Sequence, residues 1–211
     1  MNITTVDAER FSIPLLETLS DSTHGEMRHF ELVAVRIRDN EGVEGLGYTY
    51  TVGNAANAIL SLIRDDITPL LIKADASRIE DLWQKMWWHL HYVGRGGPSS
   101  FAISAVDIAL WDLKAKRAEQ PLWRLLGGHD ANVLAYAGGI DLFFPLDKLL
   151  AQTQDNLDKG FKAIKMKVGR DNLSEDLERI AAMRDFLGTD FPLMVDANMR
   201  WRVDQAIRAA K

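Results

Sequence analysis

After Gly127-Gly128 the chain takes up a strict rhythm. Val133 to Ala137 reads as a strand and Leu146 to Lys159 as a helix. Lys162 to Val168 is a strand, Leu173 to Leu187 a helix, Phe191 to Asn198 a strand, and Val203 onward opens another helix. Strands and helices that alternate in this way build parallel βα units. The strands of such a sheet are covered on their faces, so their outward residues are apolar. Chemistry in α/β barrels and open α/β sheets gathers at the C-terminal strand ends.

The middle strand lies in Phe161-Lys162-Ala163-Ile164-Lys165-Met166-Lys167-Val168-Gly169. Residues two apart share a face of a strand. Ile164, Met166 and Val168 therefore form an apolar face, and Ala163, Lys165 and Lys167 form the other. Two ammonium groups side by side repel, and each can lower the pKa of the other. A lysine with a lowered pKa can serve as a general base near neutral pH. A solvated strand with surface lysines is the plainer reading of the same residues. On the following strand Met194, Asp196 and Asn198 share one face, and Leu193, Val195 and Ala197 the other. Asp196 beside the lysines reads either as a salt bridge or as an oxygen ligand for a hard cation such as Mg²⁺. Asn198 suits either role, or a hydrogen bond to substrate.

The residues before Gly128 read differently. Ile3 to Ile13, Phe30 to Arg38 and Val43 to Tyr50 are expected strands, with a turn at Asp39-Asn40-Glu41-Gly42. Pro14 to Met27, which contains Ser20-Asp21-Ser22-Thr23-His24-Gly25, reads as a polar loop, either a lid or a mobile connection. Helices are expected over Asn54 to Ile72, with a break near Pro69, and from a Ser77/Glu80 capping box to about His91. A third runs from Phe101 to about Ala118, is apolar nearly all round, and is expected to be buried. Trp83 and Trp87 read as core or subunit contact, and Asp107 and Asp112 as structural polar residues. The expected domains are 1–128 and 129–211, with the boundary near 128–132.

Composition narrows the function classes. A formal charge of -5, with no basic run or basic-aromatic stripe, argues against nucleic acid as a partner. No uncharged apolar run reaches the ~18 residues of a membrane span. The N-terminus lacks the basic and apolar regions of a signal peptide. Cysteine is absent, which removes disulfides and thiolate metal sites and fits a cytoplasmic setting.

Three stretches together carry a resemblance. They are Ser104-Ala105-Val106-Asp107-Ile108-Ala109-Leu110-Trp111-Asp112-Leu113-Lys114-Ala115-Lys116 with its exit Gln120-Pro121-Leu122-Trp123-Arg124-Leu125-Leu126-Gly127-Gly128, the lysine pair, and Met194-Val195-Asp196-Ala197-Asn198. The chain resembles the mandelate racemase group of the enolase superfamily. Its loop from Leu19 to Met27 is similar to that of acid-sugar dehydratases of the L-talarate/galactarate type. The resemblance implies an α+β cap domain followed by the first three βα units of a modified (β/α)₇β TIM-like barrel. It further implies that Asp196 binds Mg²⁺ and that Lys167 abstracts the proton α to a substrate carboxylate. Lys165 would tune Lys167 or bind the carboxylate, with Asn198 and His24 as substrate contacts. A homo-oligomer is also implied.

The expected activity is a Mg²⁺-dependent hydro-lyase reaction on an acid sugar. A racemase, epimerase or cycloisomerase of the same superfamily is the first alternative. A non-catalytic assembly protein using Trp83, Trp87 and Trp88 is the second. A full barrel takes on the order of 250 residues, and the remaining metal ligands and the general acid are expected beyond Lys211. The 211 residues alone are therefore expected to be inactive.

Overall fold

A computed structural model describes residues 1–210. Its contacts divide into two compact units. Met1–Pro14 group with His29–Ala131, and Leu15–Arg28 group with the residues from Asn132 onward.

The first unit is built on an antiparallel sheet in the order β1 (Ile3–Asp21), β2 (Gly25–Asp39), β3 (Glu44–Thr51). The polar loop expected over 14–27 is instead the end of a long hairpin, whose turn is confined to Ser22, Thr23 and His24. Pro14 lies inside β1, an edge strand of the sheet, the place where a strand proline is tolerated. The β2–β3 register pairs Arg38 with Glu44, and their side chains meet at 2.9 Å.

The helical run after β3 is continuous through Pro69. It passes from α1 (Ala56–Ser61) through a π-helical stretch (Leu62–Ile67) into α2 (Thr68–Leu71). Proline within a helix has no N–H to donate and crowds the carbonyl four residues back. The wider π turn relieves both, so the expected break becomes a bulge. α3 (Ile79–Leu90) comes next, but without the expected cap. The Ser77 hydroxyl donates to Asp75 at 2.8 Å, and Arg78 precedes the helix with no side-chain cap.

α4 (Pro98–Arg117) packs on β3 through Ala102, Val106, Ala109, Leu110 and Leu113, which are all fully buried. Contact is close because β3 is glycine-bearing there. A Cβ at Gly47 would stand 2.0 Å from the Ala105 carbonyl oxygen. α4 is not buried all round, however, since Phe101, Ser104 and Ile108 are exposed. Asp112 has the structural role expected of it, accepting from the Leu46 N–H at 2.7 Å and pairing with Lys116 at 2.8 Å. Asp107 makes no ion pair or hydrogen bond among the described residues, and burial together with Glu80 pushes its carboxyl up. Trp83 and Trp87 stack at 5.1 Å on the margin of the core, and α5 (Leu122–Leu125) comes after α4.

The second unit carries a parallel sheet in the order β4 (Ala137–Gly138), β5 (Ile164–Lys167), β6 (Leu193–Asp196). α6 (Leu146–Asp158), α7 (Leu173–Leu187) and α8 (Val203–Ala209) alternate with these strands. β4 is much shorter than expected, and Val133 and Leu134 are exposed outside it. Ile164, Met166 and Val168 are buried with Leu149 and Met183 of α6 and α7, as the apolar face of β5 requires. No helix of the described residues is long and apolar enough to cross a membrane.

Candidate active site

The expected site residues Lys165, Lys167, Asp196, Asn198 and His24 all lie in the second unit. In the β5–β6 register Lys167 stands opposite Asp196 and Lys165 opposite Met194. Paired residues of neighbouring strands project to the same side, so both lysines and Asp196 rise from one face at the strand ends. Lys167 Nζ donates to Asp196 Oδ2 at 2.8 Å and to Asn198 Oδ1 at 2.5 Å. Lys165 Nζ is 3.4 Å from the same Asp196 oxygen and lies over the Tyr136 ring, 5.2 Å from its centroid.

These contacts change the expected electrostatics. The lysines face a shared carboxylate rather than each other. Burial lowers the Lys165 pKa, but Tyr136 and Asp196 outweigh it and the net shift is upward. Mutual lowering of the pair therefore fails for Lys165, which is held as a cation. The Lys167 hydrogen bond to Asp196 is the largest cause holding that carboxyl down at about 2, against the opposing effect of burial. Asp196 is thus an anionic oxygen donor, the type that a hard cation selects. It fits one position of a Mg²⁺ site, but among the described residues no group of three metal-binding side chains surrounds it.

Asn198 lies beyond β6 rather than in it. Its φ of 46° is left-handed, a region that asparagine enters more readily than most residues. Its N–H donates to Asp196 Oδ1 at 3.0 Å. Its amide also reaches a residue that sequence reasoning missed: Nδ2 donates to Asp21 Oδ2 at 2.9 Å. Asp21 is buried at the end of β1, where its Oδ1 accepts the N–H groups of Thr23 and His24 at 2.8 and 2.7 Å. Burial raises its pKa, but these bonds and the His24 ring outweigh it, and the carboxyl stays below the usual range. His24 Nδ1 meets Asp21 Oδ2 at 2.8 Å, while the ring is partly exposed and does not touch either lysine directly. The only sequence signal for Asp21 was the Asp-Ser-Thr-His order, which suits an Asx turn.

A second missed group braces β5 from below. The buried Asp141 accepts the Lys167 N–H at 2.9 Å, and Arg179 donates to the carbonyls of Lys167 and Asp141 at 3.0 and 2.9 Å. Burial pushes the Asp141 carboxyl up despite these partners. Asp176, fully buried in α7, takes the N–H groups of Gly169 and Arg170 at 2.8 and 3.0 Å. The backbone carrying Lys167 is therefore fixed on both sides of the side chain.

A parallel βα sheet with two lysines and one carboxylate at its strand ends, coming after an α+β unit with an antiparallel sheet, defines an enolase-like two-part architecture. Residues 5–127 match the mandelate racemase/muconate lactonizing enzyme N-terminal domain, and residues 148–211 match the enolase C-terminal domain-like family. The chain belongs to the mandelate racemase/muconate lactonizing enzyme family. It is 56% identical over 206 residues to a 3,6-anhydro-alpha-L-galactonate cycloisomerase of Streptomyces coelicolor, covering 98% of this chain and 57% of that protein. It is 39% identical over 206 residues to an L-talarate/galactarate dehydratase of Salmonella typhimurium, covering 94% of this chain and 51% of that protein. A crystal structure of a racemase from Streptomyces coelicolor A3(2) with bound magnesium superposes with a TM-score of 0.97 at 56% identity, covering 99% of this chain and 58% of that one. The chain thus spans little more than half the length of these relatives.

Proposed function

We propose that the protein carrying this chain acts on the carboxylate of a sugar acid and begins by removing the proton α to it. The observation that carries this reading is the shared Asp196, with Lys167 and Lys165 on it from the neighbouring strand. The cluster has one more positive than negative charge, which suits an anionic substrate. Lys167, as the neutral amine left once it has released its own proton to solvent, is the base: it is the more buried of the two lysines, and its backbone is braced by Asp141 and Arg179. Lys165, held charged by Tyr136 and Asp196, attracts the substrate carboxylate. Asn198 orients Lys167 and contacts substrate, and His24 presents its exposed ring from the hairpin turn.

Asp196 is one oxygen ligand of Mg²⁺ in this reading, and the other ligands come from outside the described residues. A bound divalent cation offsets the second negative charge that develops on the carboxylate when the α-proton leaves. A cytoplasmic homo-oligomer is carried over from the family resemblance as part of the same proposal.

Two outcomes diverge once the α-proton is gone. The C–O bond at the β-carbon breaks, and the electron pair leaves on oxygen. If that oxygen is a hydroxyl, water departs and the reaction is a dehydration. If it is the bridging oxygen of a 3,6-anhydro ring, it stays tethered, takes up a proton as a hydroxyl, and the net change is an isomerisation. The same lysines serve both outcomes. The 56% identity favours the cycloisomerase outcome, and the 39% identity makes galactarate or L-talarate dehydration the second reading. The test is to give the full-length protein Mg²⁺ with 3,6-anhydro-L-galactonate or with galactarate, and to measure 2-keto acid and product mass. A 2-keto acid of unchanged mass from the anhydro acid supports the first reading, and one lighter by a water from galactarate supports the second. Solvent exchange of the α-proton with neither acid would overturn both.

A further inference from the structure

The polar chain Lys167–Asn198–Asp21 has a direction that its chemistry enforces. An ammonium only donates hydrogen bonds and an ionised carboxylate only accepts them. The Asn198 amide stands between the two, with Oδ1 toward Lys167 at 2.5 Å and Nδ2 toward Asp21 at 2.9 Å. The opposite orientation would set NH₂ against an ammonium and oxygen against a carboxylate. Asp21 is buried and kept ionised by the turn it closes, so its preference is not diluted by solvent. The hairpin turn is tied to the same backbone. The Ser22 hydroxyl donates to the Ala197 carbonyl at 2.9 Å, and the Thr23 hydroxyl donates to the Asn198 carbonyl.

We propose that Asp21 is a positioning residue for Lys167: from the hairpin turn it fixes the orientation of the Asn198 amide, and through that amide the lysine ammonium. Seating of the Leu15–Arg28 hairpin and alignment of the base are then one event. This rests on the reading of Lys167 as the base. It adds a residue that bonds to neither lysine, yet sets the geometry of the proton-abstracting group.

The substitution Asp21→Asn tests the direction of the chain specifically. The new side chain keeps an oxygen for the Thr23 and His24 N–H groups, which leaves its NH₂ facing Asn198 and the His24 Nδ1, the latter able to accept in its neutral tautomer. Asn198 must then turn its oxygen toward residue 21 and its own NH₂ toward Lys167, where it opposes the ammonium and, in the neutral amine, occupies the lone pair that has to face the α-proton. In the full-length protein with Mg²⁺, Asp21→Asn is expected to lower kcat and α-proton exchange together by about 10- to 100-fold, with KM moving less than about threefold. The double variant Asp21→Asn/Asn198→Asp restores the pattern, because a carboxylate at 198 accepts from both neighbours. It is expected to recover at least about tenfold over Asp21→Asn alone. Lys148→Ala, which removes the hairpin's separate ion pair with Glu17, is expected to stay within about twofold of the parent.

Wild-type exchange in Asp21→Asn, or losses that simply multiply in the double variant, would overturn the inference. So would an equal loss in Lys148→Ala, since the effect would then belong to hairpin seating alone. Lys167→Ala separates the layers. Exchange that survives it overturns the base assignment itself. An essential Lys167 beside a neutral Asp21→Asn overturns only the positioning role.

Discussion

Two hairpin turns in this chain are built alike and end differently. At the β2–β3 turn, Asp39 Oδ1 accepts the N–H groups of Glu41 and Val43 at 2.9 and 3.0 Å. At the β1–β2 turn, Asp21 Oδ1 accepts those of Thr23 and His24. Both carboxylates are buried, and both are held below the usual range because hydrogen bonds outweigh the effect of burial. The difference lies at the second oxygen. In Asp39 it is closed by the Arg117 guanidinium of α4, whose other nitrogen returns to Glu41 of the same turn at 2.9 Å. In Asp21 it meets His24 and the Asn198 amide, which goes on to Lys167. One local solution to a turn thus serves as a structural clamp in one unit and as a link to a charged cluster in the other.

The widest separation between these turns should appear in catalysis. Lys167→Ala, at the end of the Asp21 chain, is expected to reduce α-proton exchange by the full worth of a general base, about 10²–10⁴-fold. Arg117→Ala, at the end of the Asp39 chain, is expected to leave exchange unchanged. Exchange measured by mass spectrometry in deuterated buffer checks both, and a comparable loss in Arg117→Ala would end the contrast. In stability the order reverses. Asp39→Ala leaves two turn N–H groups without their acceptor and Arg117 with only the Glu41 carboxylate, and is expected to cost about 2–4 kcal/mol locally. Two compact units need not unfold together, so the readout is hydrogen exchange of the β2–β3 amides rather than a single melting curve.

How much of this was legible in the sequence depends on the kind of signal each feature leaves. The β5 and β6 strands, and the placing of Lys165, Lys167 and Asp196 on one side, come from a period of two that packing cannot shift without exposing Ile164 and Met166. The strand character of residues 14–27 is hidden because Leu15, Leu16 and Leu19 do not alternate with a period of two and Pro14 reads as a breaker. Only the edge position, a fact of the whole sheet, makes the proline harmless. The Ser77 cap failed because the helix begins one residue later, with Arg78 at the cap position, while the Ser77 N–H and hydroxyl both donate to Asp75. Alternation continues through Asn198 and so reads as strand, while its left-handed backbone leaves no trace in the pattern. Asp21 and Asp141 act across long sequence separations, Asp21 on Asn198 and Asp141 on the backbone of Lys167, and no local window contains both partners.

The acid side of the pH scale sharpens the comparison further. A depressed aspartate pKa adds stability that is present above the unfolded value, about 3.9, and lost as pH falls through the folded value. Asp39 and Asp21 carry the same sign, so both turns should loosen on acidification below about pH 4. In Asp39→Asn the β2–β3 amides should lose this dependence while those around residues 21–25 keep it. Pulsed hydrogen exchange between about pH 2.5 and 5 resolves the two sets by position.

The smallest expected effect concerns the glycines that complete each turn. Gly25 and Gly42 both have left-handed backbones, with φ of +69° and +85°, and an added Cβ at either would meet nothing within 4 Å. Alanine at either site should therefore cost only the backbone penalty, about 1–2 kcal/mol, with no steric clash to distinguish them. Equal cost in stability isolates the functional difference. Gly42→Ala strains the turn that Arg117 closes, and kcat should not move. Gly25→Ala strains the turn that holds Asp21 against Asn198, and kcat should fall by a few-fold as the strain reaches Lys167, the proposed base, with any smaller change in KM reporting on His24 in the same turn. Matched stability losses with a kcat change only at Gly25 would tie the difference to where the second carboxylate oxygen points. A kcat change at Gly42 of the same size would mean that any loosening of a hairpin reaches the lysines, and the two turns would no longer be distinct in kind.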